Sequence, residues 1–145
     1  MSGFWGFVFG AIGAACAWFL VEFVGRPFRH FFDLRREVSR RLVQFDNVFA
    51  RAKMKGDMRE PIELTAEENA RLTLAQDTFR DLASQLRAFA RAEYFANRAV
   101  KVFRFDAREA SSALIGLSNE ISTYGEGRER YKQRIASLLR IQSDE

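Results

Sequence analysis

Hydrophobic and polar positions divide the chain into three regimes. From Gly3 to Val24 nearly every position is apolar, and Glu22 is the one charged side chain. About 22 residues at 1.5 Å each make a helix of roughly 33 Å, the thickness of a bilayer core. From Phe28 onward the pattern changes to apolar residues at three- and four-residue steps: Phe28, Phe31, Phe32, Leu34, Val38, Leu42, Phe45, Val48 and Phe49, with arginines largely between them. That spacing predicts an amphipathic basic helix. Gly25 is expected to close the first helix and Pro27 to open the second, since proline suits a first helical turn.

Beyond this, Lys55-Gly56-Asp57-Met58-Arg59-Glu60-Pro61 is polar and holds a glycine and a proline, so it reads as a loop. Thr65-Ala66-Glu67-Glu68 matches a capping box. The seam Leu72, Ala75, Phe79, Leu82, Leu86 and Phe89 that follows turns one helix face inward. The stretch from Arg91 to Phe105 either continues that helix, with Ala96, Val100 and Phe103 inward, or breaks near Asn97. Asp106-Ala107-Arg108-Glu109 predicts another N-cap, followed by an inward face of Ala110, Ala113 or Leu114, Leu117 and Ile121. The glycines of Tyr124-Gly125-Glu126-Gly127 end that helix. A last helix then carries Tyr131, Ile135, Leu138 and Leu139 on one side, before the acidic tail Ser143-Asp144-Glu145.

No segment alternates at period two, so the expected fold is all-α. It comprises an N-terminal transmembrane anchor (1–25), a juxtamembrane basic amphipathic helix (26–55), a loop (56–64) and a small cytoplasmic helical domain (65–145).

The flanks of the apolar run decide between an anchor and an export signal. A cleavable signal has basic residues ahead of a shorter core; here only Met1 and Ser2 precede it, so an anchor is expected. Arg26, Arg29, Arg35, Arg36, Arg40 and Arg41 all follow it, which predicts an inner-membrane, single-pass topology with the amino terminus out and the remainder cytoplasmic. Within the run, Gly6, Gly10 and Ala14 are four apart, flanked by Gly3, Gly13 and Ala17. Such small residues allow close backbone approach of another helix in lipid. Glu22 lies one turn before Arg26, as an interfacial ion pair would require.

The 145 residues carry a net charge of +4. Because the arginines cluster beside the apolar run, anionic lipid headgroups are the first expected partner, met by Arg26, Arg29, Arg35, Arg36, Arg40 and Arg41, and nucleic acid ranks behind them. One cysteine, Cys16, and one histidine, His30, leave no set of Cys or His ligands for a metal within one chain. Tyr124-Gly125-Glu126-Gly127 lacks the Lys-Ser or Lys-Thr of a phosphate-binding loop. The acid pairs Glu67-Glu68 and Glu60/Glu63 sit at a helix start and in a loop, where capping and solvation account for them. No catalytic residue, cofactor, metal or small-molecule substrate is predicted, and the chain is read as a non-enzyme.

Candidate partner contacts are Tyr94, Phe95, Phe103 and Phe105, where aromatic and basic residues mix, and Gly116, a glycine inside a helix. An N-terminal span followed by Gly25-Arg26-Pro27, Phe32 with Leu34-Arg35, and Ala113-Leu114-Ile115-Gly116-Leu117-Ser118-Asn119 resembles small single-pass bacterial membrane proteins of uncharacterised function. The resemblance implies no activity, substrate or site. The functional expectation is a non-catalytic accessory or scaffold protein that contacts itself or another membrane protein through its span and its cytoplasmic helices. The alternative is binding or sensing of anionic membrane surfaces.

Overall fold

The apolar run and the amphipathic run form one rod. In the computed structural model, which describes residues 2–48, 52–55, 58–61, 64–122 and 126–141, helix α1 spans Ser2–Leu20. A π-helical turn follows at Val21–Gly25, and α2 spans Arg26–Gln44. The break expected at Gly25 is absent: Gly25 keeps helical angles, φ −65° and ψ −47°. The backbone N–H of Arg26 donates to the carbonyl of Val21, five residues back. Pro27 removes an N–H that an α-helix would use, and the wider turn is where the rod absorbs that loss.

Helix α2 stops at Gln44 rather than running to 55. Asp46 and Asn47, both favoured in turns, follow Phe45, whose φ of −101° has already left the helix. Ala52–Lys55 forms strand β1 and Met58–Pro61 forms β2, paired antiparallel with Lys55 opposite Met58 and Ala52 opposite Pro61. This ribbon corrects the helix read to 55 and, at Met58–Pro61, the loop read over 56–64; residues 56, 57, 62 and 63 lie outside the described residues. Pro61 stands at the ribbon's end, where a missing N–H is tolerated.

Elsewhere the architecture is helical. Helix α3 spans Ala66–Ala92 and opens on the expected capping box. Glu68 N–H donates to Thr65 Oγ1 at 3.2 Å, and Thr65 N–H donates to Glu68 Oε2 at 3.0 Å. The chain bends at Glu93, φ −99° and ψ 68°, before α4, Tyr94–Val102. The bend precedes Asn97, whose Nδ2 donates to the carbonyl of Ala90 at 3.1 Å across the corner. Asp106 caps α5 (Ala107–Glu120), accepting from the N–H groups of Arg108 and Glu109 at 3.1 and 3.0 Å. Helix α6 is Glu126–Leu139. Phe49, Tyr124, Gly125 and the tail Ser143-Asp144-Glu145 lie outside the described residues.

One core joins α2, α3, α4, α5 and α6. The whole α3 seam from Leu72 to Phe89 is buried, as are Ala110, Ala113, Leu114, Leu117 and Ile121 of the α5 face. Phe31 is fully buried, its ring 5.3 Å from Phe89, 5.4 Å from Phe105 and 5.5 Å from Phe32. Each such aromatic pair contributes about 0.5–1.5 kcal/mol beyond area burial. The apolar side of α2 therefore packs into the bundle.

Two arginines fix α2 against α6, which runs antiparallel to it. Arg35 Nε donates to the carbonyl of Leu139 at 2.7 Å and its Nη2 to that of Arg140 at 2.6 Å. In return Arg128, 4% exposed by side chain, donates to the carbonyls of Phe45 and Asp46. Each arginine bonds carbonyls at or just past the end of the other helix, where a cation meets the negative end of the helix dipole.

Candidate functional site

Helix α1 packs against nothing over most of its length. It is apolar and long enough to cross a membrane, and none of it is buried in the bundle. Phe4, Trp5, Phe7, Phe9 and Trp18 are 60–76% exposed. A Cβ built on Gly6, Gly10 or Gly13 would meet nothing within 4 Å, so the small-residue side is open. Ala14 and Ala17 are likewise exposed, while nothing is described around Gly3. A helix apolar on every side has no water-facing surface; its matching surroundings are hydrocarbon or other helices.

Where α1 meets the bundle, aromatic side chains form a collar. Phe19 and Phe23 stack with ring centroids 4.6 Å apart, and Trp18 meets Phe23 edge-on at 6.1 Å. Helix α4 completes it. Phe95 lies 6.2 Å from Phe19 and Phe103 lies 6.1 Å from Phe28, so α4 runs beside the rod in the same direction. Ala96 and Val100 bury its inner side, whereas Tyr94, Phe95 and Val102 face outward, 64%, 55% and 76% exposed.

The six arginines assigned to headgroups do not form one group. Arg26 pairs with Glu22 at 2.6 Å, the i to i+4 pair expected at the end of the apolar run. Arg29 is exposed and has no ion pair among the described residues. Arg36 stands 3.7 Å from Asp33. Arg40 and Arg41 both reach Glu37 Oε1, at 2.8 and 2.7 Å, and hydrogen bonds from Arg40 and then Arg41 hold its carboxyl below the ordinary range. Arg35 is engaged in the α6 clamp, its guanidinium 5.9 Å from the Phe105 ring centroid.

The candidate partner contacts divide in the same way. Tyr94, Phe95 and Phe103 are on the surface, and Phe105 packs on Phe31 and Phe32. Gly116 marks a close approach within the chain: a Cβ there would lie 2.4 Å from Tyr131 Cε1. Its neighbours Ser111 and Ser118 are buried and bonded to the carbonyls of Ala83 and Ile115, both at 2.8 Å.

Comparison with protein-family models, with curated proteins and with solved structures finds no match for this chain. Its own geometry therefore carries the functional reading. Among the described residues no three His, Cys, Asp or Glu side chains gather as a metal-holding group. The outward residue that the sequence did not single out is Val102, since only the placement of α4 against the rod shows that it shares a surface with Phe95. Trp18 and Phe19 carried a signal, as aromatics near the end of an apolar run are common anchors.

Proposed function

We propose that this chain is a non-catalytic, single-pass inner-membrane protein, amino terminus outside and bundle in the cytoplasm, acting as an accessory or scaffold subunit. Its α1 docks on a second copy or on another membrane protein through the side that carries Gly6, Gly10, Gly13, Ala14 and Ala17. The observation that supports this most directly is the exposed α1 with open space before its glycines. In lipid, where no hydrophobic force drives helices together, backbone approach across small residues is a main source of association energy. Arg26, Arg29, Arg36, Arg40 and Arg41 on the bundle side support the orientation.

Purification of the tagged full-length chain from native membranes in mild detergent, with mass determination of the intact assembly, tests the reading. The expected result is a stoichiometric assembly that is lost in the triple variant Gly6→Leu, Gly10→Leu, Gly13→Leu. An assembly unchanged in that variant overturns the role given to this side of α1. A second reading, contact of the bundle with anionic lipid, is favoured by the collar of outward aromatic residues and its neighbouring cations.

A further inference from the structure

We infer that α4 is a second membrane-contacting element, lying at the bilayer boundary beside α1 and holding anionic phospholipid headgroups; this rests on the reading that α1 spans the bilayer. The register of α4 on the rod carries the inference. With Phe95 against Phe19 and Phe103 against Phe28, the start of α4 is level with the last residues of α1 and its end is level with the first turn of α2. A hydrocarbon layer that covers α1 through Phe19 therefore reaches Phe95.

The chemistry of the outer side fits that depth. Tyr94, Phe95 and Val102 point away from the core; because α4 runs along the rod, Tyr94 and Phe95 meet the hydrocarbon edge, and the cations further along face the headgroup layer. Arg98 and Lys101 share this exposed side. Arg98 Nη1 donates to the Tyr94 hydroxyl at 3.3 Å, and neither cation has an ion pair among the described residues. The acids nearby are few. Glu93 is half-buried at the start of α4, and Glu22 is taken by Arg26.

Arg104 adds a further cation at the end of α4. It occupies a left-handed backbone conformation, φ 64°, in a helix stop where its N–H donates to Lys101 O at 2.9 Å and that of Phe105 to Val100 O at 3.1 Å. Glycine fills that position with least strain, yet an exposed arginine stands there. The occupant that fits is a lipid surface, because the exposed side is continuous with the apolar rod and its free charges are positive. Anionic headgroups attract such juxtamembrane cations.

The test uses the full-length chain with Cys16→Ala, reconstituted at low density into phosphatidylcholine vesicles with and without phosphatidylglycerol, so that each vesicle holds about one chain. Cysteine is placed at Phe95, at Val102 or, as a control, at Leu74, an exposed α3 residue about 27 Å along that helix from its end near α4. With phosphatidylglycerol present, F95C is expected to react with a charged maleimide roughly tenfold more slowly than L74C, as burial in the interface excludes the reagent, and V102C, about 10 Å further along α4, to fall between the two. Adding Arg98→Glu and Lys101→Glu, or omitting phosphatidylglycerol, is expected to remove most of that protection.

Equal labelling at all three sites in chains that resist alkaline extraction overturns the α4 inference and leaves the anchor standing. Chains released by alkaline extraction instead overturn the anchor itself. Protection indifferent to lipid charge overturns the headgroup assignment, and protection that needs two chains per vesicle assigns the surface to a second copy.

Discussion

Helices α1 and α2 are two halves of one rod with the same length, 19 residues each, and opposite surroundings. In α1 the aromatic residues cover the sides away from the small residues and none of them is buried; in α2 Phe31, Leu34 and Val38 share one side and are buried against the bundle. The difference lies in periodicity. An apolar residue at every step leaves no side for water, whereas apolar residues at three- and four-residue steps leave a charged side and supply a core side. The π-helical turn at Val21–Gly25 marks the change from one to the other without ending the helix.

Substitutions that treat the two halves alike should separate them sharply. Phe31→Ala, which removes a fully buried ring with three aromatic neighbours, is expected to cost about 3–5 kcal/mol in chemical denaturation of the bundle. Phe7→Ala in α1 is expected to change bundle stability by less than about 0.5 kcal/mol. Comparable losses from both would break the distinction.

The glycines sharpen the comparison next. Gly116→Ala places a methyl group against Tyr131, and such overpacking costs about 1–3 kcal/mol, offset in part by the better helix propensity of alanine, about 1 kcal/mol. A lowered melting temperature is therefore expected. Gly10→Ala, with open space before it, should leave the melting temperature unmoved. A smaller effect belongs to Thr65→Ala, which removes the side-chain cap of α3 and is expected to cost about 1 kcal/mol in the same denaturation measurement.

The weakest expected effect is electrostatic. Glu37 has its carboxyl held below the ordinary range by hydrogen bonds from Arg40 and Arg41. Its folded-state pKa is depressed, so its contribution is present at neutral pH and is lost as pH falls through the ordinary carboxylate range toward the folded-state value. Melting curves of the native chain and of Glu37→Gln should differ at neutral pH and converge in acid. A difference that grows in acid would contradict the assignment.

Features specified by neighbours in sequence were legible from the chain. The capping box at Thr65 and Glu68, the cap at Asp106 and the seam from Leu72 to Phe89 each depend on residues within a few turns. Arg35 was not legible: its partner carbonyl at Leu139 is 104 positions away, and an arginine beside an apolar run has the same local pattern whether it meets lipid or a helix end. Arg128 and Phe45 are 83 positions apart. The β1–β2 ribbon lacked apolar alternation, leaving the Gly56-Asp57 pair as its one signal. Of the candidate site, the small residues of α1 and the aromatics of α4 could be picked out, but their division into outward Phe95 and inward Phe105 follows from the packing of α4 on the rod.

Cys16, the one cysteine of the chain, sits within α1 and offers the most direct test of a membrane-spanning α1. Alkylation by maleimide needs water at the sulfur, which hydrocarbon excludes. Intact native membranes treated with a permeant maleimide should leave Cys16 of the full-length chain unmodified, with full labelling once the membranes are dissolved in denaturing detergent. Rapid labelling in intact membranes would place α1 in water and contradict the account.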